Sequence, residues 1–504
     1  MNRKKMNIML ILMVAIAMLV TACGGKTGNN GTNNGSNTPA TTNNGTNTPA
    51  DQEPVTLTFV NKDFPLDDPN TAKLITKIEE GMKAQGTPVK IEVVPVQSGT
   101  YSEKLGLLLQ SGTIPDLIYF QGGDYQFAIT QGILEDLTPY IKKSTHLKAS
   151  LSEYNIERMK EYPYLVYAAP TTTSVSVVRK DWFDQTASGK TLLENPTIDN
   201  YVTFFKELKE VSGAKYVYTT AGTLDEIDPL FAQAFGMTST WVKDDSGSYV
   251  YGAVSKYGKD KLDFYAKLYQ EGLLDPEYLT KKWDTKEQAF YDGDAAVIAG
   301  RQGKVINIYN TKMMEQNGVE VMPLVPAKGV GQGFVPINVS KEDRGFAISK
   351  LSKNKDAAFA LLEYMASPEG LMLDQLGVEG DEYTITDNQI TLTDKFPAWY
   401  AHFIDNTMNF KPEQTFNPET PFLSPAALES LELVQTYSTK DNAFVIPAEQ
   451  SAAWDAAIAI YKEYAANVVT GKASINDFDK MVESFNAAGG KAMTEYANQT
   501  LNKL

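Results

Sequence analysis

The residues able to make and break bonds are few. The chain has two histidines, His146 and His402, and one cysteine, Cys23, among 504 residues. A zinc hydrolase holds its metal with imidazoles at fixed helical spacing, and no HExxH occurs here. No G-x-S-x-G elbow and no P-loop is present, so neither a serine hydrolase nor an ATPase finds its apparatus. Gly329, Gly331 and Gly333 form a glycine-rich stretch that opens no helix and reads as a flexible loop rather than a phosphate cradle. Sixty-two carboxylates contain many possible glycosidase pairs and single out none. This inventory predicts no catalytic residue, no metal and no cofactor.

The N-terminus has the chemistry of export. Arg3, Lys4 and Lys5 precede an apolar run of 13 residues, 8–20. That run falls short of the roughly 20 residues a bilayer span needs and suits a signal-peptide core. It ends at Val20-Thr21-Ala22-Cys23, which looks like the lipobox of bacterial lipoproteins. The resemblance implies a signal peptide over 1–22 and an acylated Cys23. Lipid there, palmitate included, would hold the chain on the extracellular face of the cell membrane. Several acyl chains on one residue give lasting attachment where one would be marginal. Loss of the three leading cations takes the formal charge from −16 to −19. Such acidity keeps a chain soluble and argues against nucleic acid or anionic lipid surfaces as partners.

Residues 23–54 read as the lipid site and a tether. NNGSNTPA at 33–40 returns as NNGTNTPA at 43–50, with no large apolar side chain to join a core. Thirty such residues reach on the order of 30 Å.

From residue 55 the pattern is α/β. VTLTFV (55–60), VKIEVVPV (89–96), PDLIYF (115–120) and 295–299 read as strands. Between them lie amphipathic helices. One carries Leu74, Ile75, Ile78 and Met82 and ends near Gly86; one is capped by Ser102 and closed by Gly112. Thr197 precedes a helix with Tyr201, Phe204, Phe205 and Leu208 inward. Tyr265, Leu268 and Tyr269 sit on another that ends at Gly272, and Ala358, Leu361, Leu362 and Met365 on a third. DDSG (244–247) reads as a hairpin turn, and the last 60 residues as helical. Strands alternating with helices predict mostly parallel sheets covered on both faces.

Five segments then fall in a familiar order: YSEKLGLLLQSGTIPDLIYFQGGDYQFAITQGILEDLTPYI from residue 101, VVRKDWFD (177–184), LYQEGLLDPE (268–277), GFAISKLSKNKDAAFALLEYMASPEG (345–370) and VVTGKASINDFDKMVESFNAAGG (468–490). Together they resemble family 1 extracellular solute-binding proteins of ABC importers, in their long, carbohydrate-binding branch. The resemblance implies a type II, two-lobed periplasmic-binding-protein-like fold. Each lobe would be a mixed, mostly parallel sheet flanked by helices, with a ligand clamped in the cleft by hinge closure. It divides the chain into lobe 1 (55–169 plus 328–373) and lobe 2 (170–327 plus 374–504). It implies a monomeric receptor rather than an enzyme, with a small-molecule carbohydrate as ligand and importer permease subunits as partners. An exported polysaccharide-cleaving enzyme and a sugar-sensing lipoprotein are the competing readings.

Open α/β sheets bind ligands at strand ends. On that basis the candidate contacts are Asn61, Lys62 and Asp63 after the first strand, and Gln121, Asp124 and Tyr125 after PDLIYF. Thr171 and Thr172 lie at the first crossing, Arg301 and Gln302 after AAVIAG, and Trp241, Trp399 and Tyr400 are the aromatic candidates. Aromatic rings stack on the C–H face of a sugar while amides and charged groups bond its hydroxyls. Trp182, Trp283 and Trp454 are assigned to packing, and the Arg179-Lys180-Asp181-Trp182 run to anchoring a helix. Long relatives carry a calcium loop resembling DPNGNGKxDEIP, where this chain reads EVSGAKYVYTT (210–220). The alternating oxygens that Ca²⁺ requires are missing there, and no calcium is expected.

Overall fold

The computed structural model describes residues 53–503, apart from 63, 97–100, 122–124, 152, 167–172, 335–343, 400–402, 404–409, 411 and 445. The expected signal peptide, Cys23 and the expected tether lie outside the described residues, and no described helix is long and apolar enough to cross a membrane. The strands are β1 (Val55–Val60), β2 (Val89–Val93), β3 (Leu117–Gln121), β4 (Ser174–Arg179), β5 (Tyr216–Thr219), β6 (Trp241–Lys243), β7 (Tyr249–Tyr251), β8 (Ala295–Arg301), β9 (Val321–Pro323), β10 (Arg344–Ile348), β11 (Tyr383–Thr386), β12 (Gln389–Leu392) and β13 (Thr415–Phe416).

Two four-stranded sheets organise the molecule, in the orders β10-β3-β1-β2 and β5-β8-β4-β9. In the first, β1 pairs in parallel with β2 and β3, as strand–helix alternation requires, and only β10 runs antiparallel. The second departs from the expected mostly parallel pairing. There β4 lies antiparallel to both β8 and β9, leaving β5–β8 as the parallel pair. The chain enters this sheet by β4 directly from a crossing rather than through a helical crossover, so parallel pairing is not imposed on it.

The helices follow their periodicity. Thr197 Oγ1 accepts from Asn200 N at 3.2 Å to cap helix Ile198–Ser212, and Gly213 stops it at φ 65°. Tyr201, Phe204, Phe205 and Leu208 are all buried against the second sheet. Each such side chain contributes about 1.5–3 kcal/mol of transfer free energy. Ser102 does not cap: helix Tyr101–Gln110 begins one residue earlier.

The packing moves two boundaries. Residues 374–422 stay with the first sheet rather than joining the second. Phe403 stacks on Phe59 with centroids 5.1 Å apart, and Asp374 Oδ1 accepts from Phe403 N at 3.0 Å. Lys73 bonds Glu382 at 2.5 Å and also Asp381, tying helix Pro69–Ala84 to the β11–β12 hairpin. Phe410 and Phe416 close around Phe422, and the second sheet is reached only at Ser424, whose N donates to Asn307 Oδ1. Conversely, residues 328–334 belong with the second sheet. Val330 N donates to Ala234 O and Gly331 N to Gln233 O, so the glycine stretch is a close backbone contact and not the flexible loop expected. A Cβ on Gly329 would stand 2.2 Å from Ala234 O.

Glu363 of helix Lys355–Met365 accepts from Thr145 N, His146 N and Leu147 N at 2.7, 2.8 and 3.0 Å, satisfying the open end of helix His146–Ser150. Burial works to raise its carboxyl, but these backbone donors win and hold it below the ordinary value of 4.5. A carboxyl so lowered stabilises the fold above the pKa of the unfolded group. The contribution is lost as pH falls through the folded value. E363Q is therefore expected to lose about 1 kcal/mol at pH 7 by urea denaturation, with the gap to wild type closing below about pH 4.

Candidate functional site

The two sheets are joined at their strand ends. Val166 bridges Phe346 on the first sheet, and Ser174 opposes Arg301 on the second. Eight residue steps between Val166 and Ser174 reach at most about 29 Å, so a short segment links the strand carrying Phe346 to the C-terminal end of β8. A hydrogen bond joins the halves directly, Tyr162 Oη donating to Ile446 O at 2.9 Å.

Several predicted residues stand at these ends. Asn61 is buried after β1 and Lys62 half-buried beside it. Gln121 ends β3 opposite Arg344, and its Oε1 is buried with no hydrogen-bond partner. Arg301 ends β8, half-buried. Gln302 is 2% exposed; its Oε1 accepts from Thr173 N at 3.0 Å while its Nε2 is buried without a partner. Each sheet thus ends in an amide with one atom unengaged. Tyr125 opens the short helix Tyr125–Thr130. Asp63, Asp124, Thr171, Thr172 and Tyr400 lie outside the described residues.

The aromatic assignments need correction. Trp241 is 4% exposed, stacked between Phe444 and Trp454 at 5.5 and 5.7 Å, with Tyr251 at its edge. Neither face is open to a sugar. Trp399 is 8% exposed in the first core, its Nε1 donating to Asp374 O at 3.0 Å. Both are packing residues, as is Trp454. Trp283 reverses the error: assigned to packing, it is 45% exposed. The Arg179 run behaves as expected, its guanidinium 3.9 Å from the Trp182 ring and paired with Asp181 at 2.8 Å.

Sequence reading missed a buried ion pair. Lys286, fully buried, places Nζ 2.8 and 3.0 Å from the two oxygens of Glu226 and 3.2 Å from Ala299 O, near the end of β8. Thr220 Oγ1 donates to the same carboxylate at 3.0 Å. Burial pushes the Lys286 ammonium down from its ordinary value while Glu226 opposes that shift. The partners lie far apart in sequence, and no local pattern announces them.

A cavity of about 120 Å³ opens elsewhere on the second half, between residues 222–228 and helices Lys256–Gln270 and Ala448–Val469. It is smaller than the roughly 300 Å³ at which ligand pockets begin. Its carboxylate Asp228 is already bonded by Lys261 at 2.6 Å and Tyr265 at 2.7 Å. Among the described residues, no cluster of three His, Cys, Asp or Glu side chains is placed to hold a metal.

Removing one member of a buried pair strands the other charge. K286M is expected to cost about 3–5 kcal/mol in chemical denaturation, and the E226Q/K286M double variant to recover part of that loss.

Residues 67–372 match the sequence profile of the bacterial extracellular solute-binding protein family. Lipoprotein LipO of Bacillus subtilis (strain 168) is 23% identical over 347 residues, which is 62% of this chain and 65% of that protein, so the match spans just under two thirds of that relative. Among solved structures, the alginate-binding protein AlgQ2, crystallised without calcium ion, superposes with a TM-score of 0.67 at 18% identity, covering 89% of this chain and 98% of that one. An HMO-binding, ABC-transporter-associated solute-binding protein of Bifidobacterium longum infantis gives 0.62 at 14%, covering 89% and 98%. The N-glycan transport protein NgtS of Streptococcus pneumoniae gives 0.60 at 16%, covering 88% and 97%. The fold is the two-lobed α/β fold of these proteins, and the chain belongs to the bacterial extracellular solute-binding protein family.

Proposed function

We propose that the protein is a lipid-anchored receptor on the extracellular face of the membrane, where it captures a carbohydrate, an oligosaccharide, and hands it to an ABC importer. The observation that carries this reading is the pair of unengaged amides, Gln121 Oε1 and Gln302 Nε2, one at the end of β3 and one just after β8. An unsatisfied buried polar atom is costly unless a ligand or water completes it, and an acceptor with a donor matches the alternating hydrogen bonds of a sugar hydroxyl. Asn61, Lys62 and Arg301 add further polar groups at the same strand ends. The fold relatives named for alginate, HMO and N-glycan binding support a saccharide as the ligand class. The name of LipO supports the lipid anchor at Cys23. Permease subunits would supply transport. The chain itself has no nucleotide motif to drive it.

Reversible capture without chemistry is directly testable. The purified protein, incubated with mono- and oligosaccharides, is expected to gain about 2.7 kcal/mol of stability at a hundredfold excess over Kd and to return every sugar at unchanged mass. Cleavage products would overturn the receptor reading. In a bacterial host, C23S is expected to move the protein from the membrane fraction to the soluble exported fraction. Retention at the membrane would remove the lipid anchor from the proposal.

A further inference from the structure

Of the five tryptophans, Trp241, Trp399 and Trp454 are buried and Trp182 lies half-buried beneath Arg179. Trp283 alone among them keeps nearly half its surface in solvent, at 45%. An exposed indole is ordinarily free to change rotamer. This one is fixed from several directions. Its Nε1 donates to Glu287 Oε1 at 2.6 Å. The Lys286 ammonium sits 3.5 Å from the ring centroid and covers one face. Lys286 is itself immobilised by both oxygens of Glu226 and by Ala299 O. Exposed apolar surface that is also held rigid loses little entropy on binding, the condition for an anchor rather than a loose surface ring.

Its place in the fold is equally specific. Helix Trp283–Tyr291 turns at Gly293, φ 81°, into β8 and so runs back along that strand. Its first turn therefore lies beside the C-terminal half of β8. The Lys286–Ala299 contact ties it there, two residues before Arg301. The sequence had offered no reason to separate Trp283 from the packing tryptophans.

We propose that the free face of Trp283 is the stacking platform for an uncharged sugar ring, with Lys286, Glu226 and Glu287 as positioning residues that hold the indole. The ring offers a flat apolar surface to a C–H face. The carboxylate on its N–H and the prior engagement of Lys286 disfavour a sugar that carries its own carboxylate, since like charges at a binding site cost affinity. The assignment rests on the carbohydrate reading of the cleft and adds to it a contact residue and a ligand charge.

The test is calorimetric titration of wild type, W283A, W283F and W182A against neutral oligosaccharides and oligouronates of equal length, with tryptophan emission recorded in parallel. Wild type is expected to bind a neutral sugar. W283A should weaken that binding at least about tenfold while W283F stays within about threefold and W182A is unchanged. The ligand-induced emission shift should vanish in W283F. A W283A protein with wild-type melting and wild-type affinity overturns the platform and leaves the receptor reading standing. Preference for oligouronates overturns the charge assignment. Failure of wild type to bind any sugar overturns the receptor reading and the platform together.

Discussion

Val166 still pairs with Phe346 on the first sheet, and eight positions later Ser174 already pairs with Arg301 on the second. That short connection is the constraint on which the rest depends. It carries the chain from β10 of the first sheet to the C-terminal end of β8 in one short segment, and strand ends are where backbone polar groups run out of partners. Both sheets end in amides and charges: Gln121 and Arg344 on one, Gln302 and Arg301 on the other.

The second half carries its charges inward. A lysine as deeply buried as Lys286 is tolerable only with a counter-charge and further acceptors, and Glu226 and Ala299 O supply them. A buried pair is often no more stabilising than apolar residues of similar volume. What it does is hold geometry, fixing Glu226 at the end of β5 and leaving one side of an exposed indole against a cation. The glycines at 329–333 serve a related end by different means. With no Cβ, this segment presses its backbone onto residues 233 and 234, and Gln233 Nε2 reaches Phe334 O at 3.3 Å and Thr439 Oγ1 at 2.6 Å. A residue type read as freedom is here used for closeness.

Features written in local periodicity were legible in the sequence. The helix at 198–212 appears with its cap and its buried face as Thr197 and the four apolar side chains predict. The DDSG turn and the strand at 295 behave likewise. Features that depend on distant partners were not legible. Nothing beside Trp241 in the sequence announces Phe444 and Trp454, and nothing beside Trp283 announces that Lys286 covers one of its faces and leaves the other open. Both were misassigned for the same reason: a tryptophan's burial is a property of the fold, not of its neighbours in the chain. The boundary at 374 failed similarly, because the aromatic residues that keep 374–422 on the first sheet act through Phe59 and Phe346, far upstream.

That excursion has a consequence for biogenesis. The first core is not finished by the first third of the chain. Asn70 Nδ2 donates to Ala398 O across 328 positions, and Phe59 waits for Phe403. During synthesis the early strands emerge with their covering aromatics still unmade, and loop closure over such a distance delays their consolidation. A nascent chain of this design cannot complete its first core until residues 398–403 have been made.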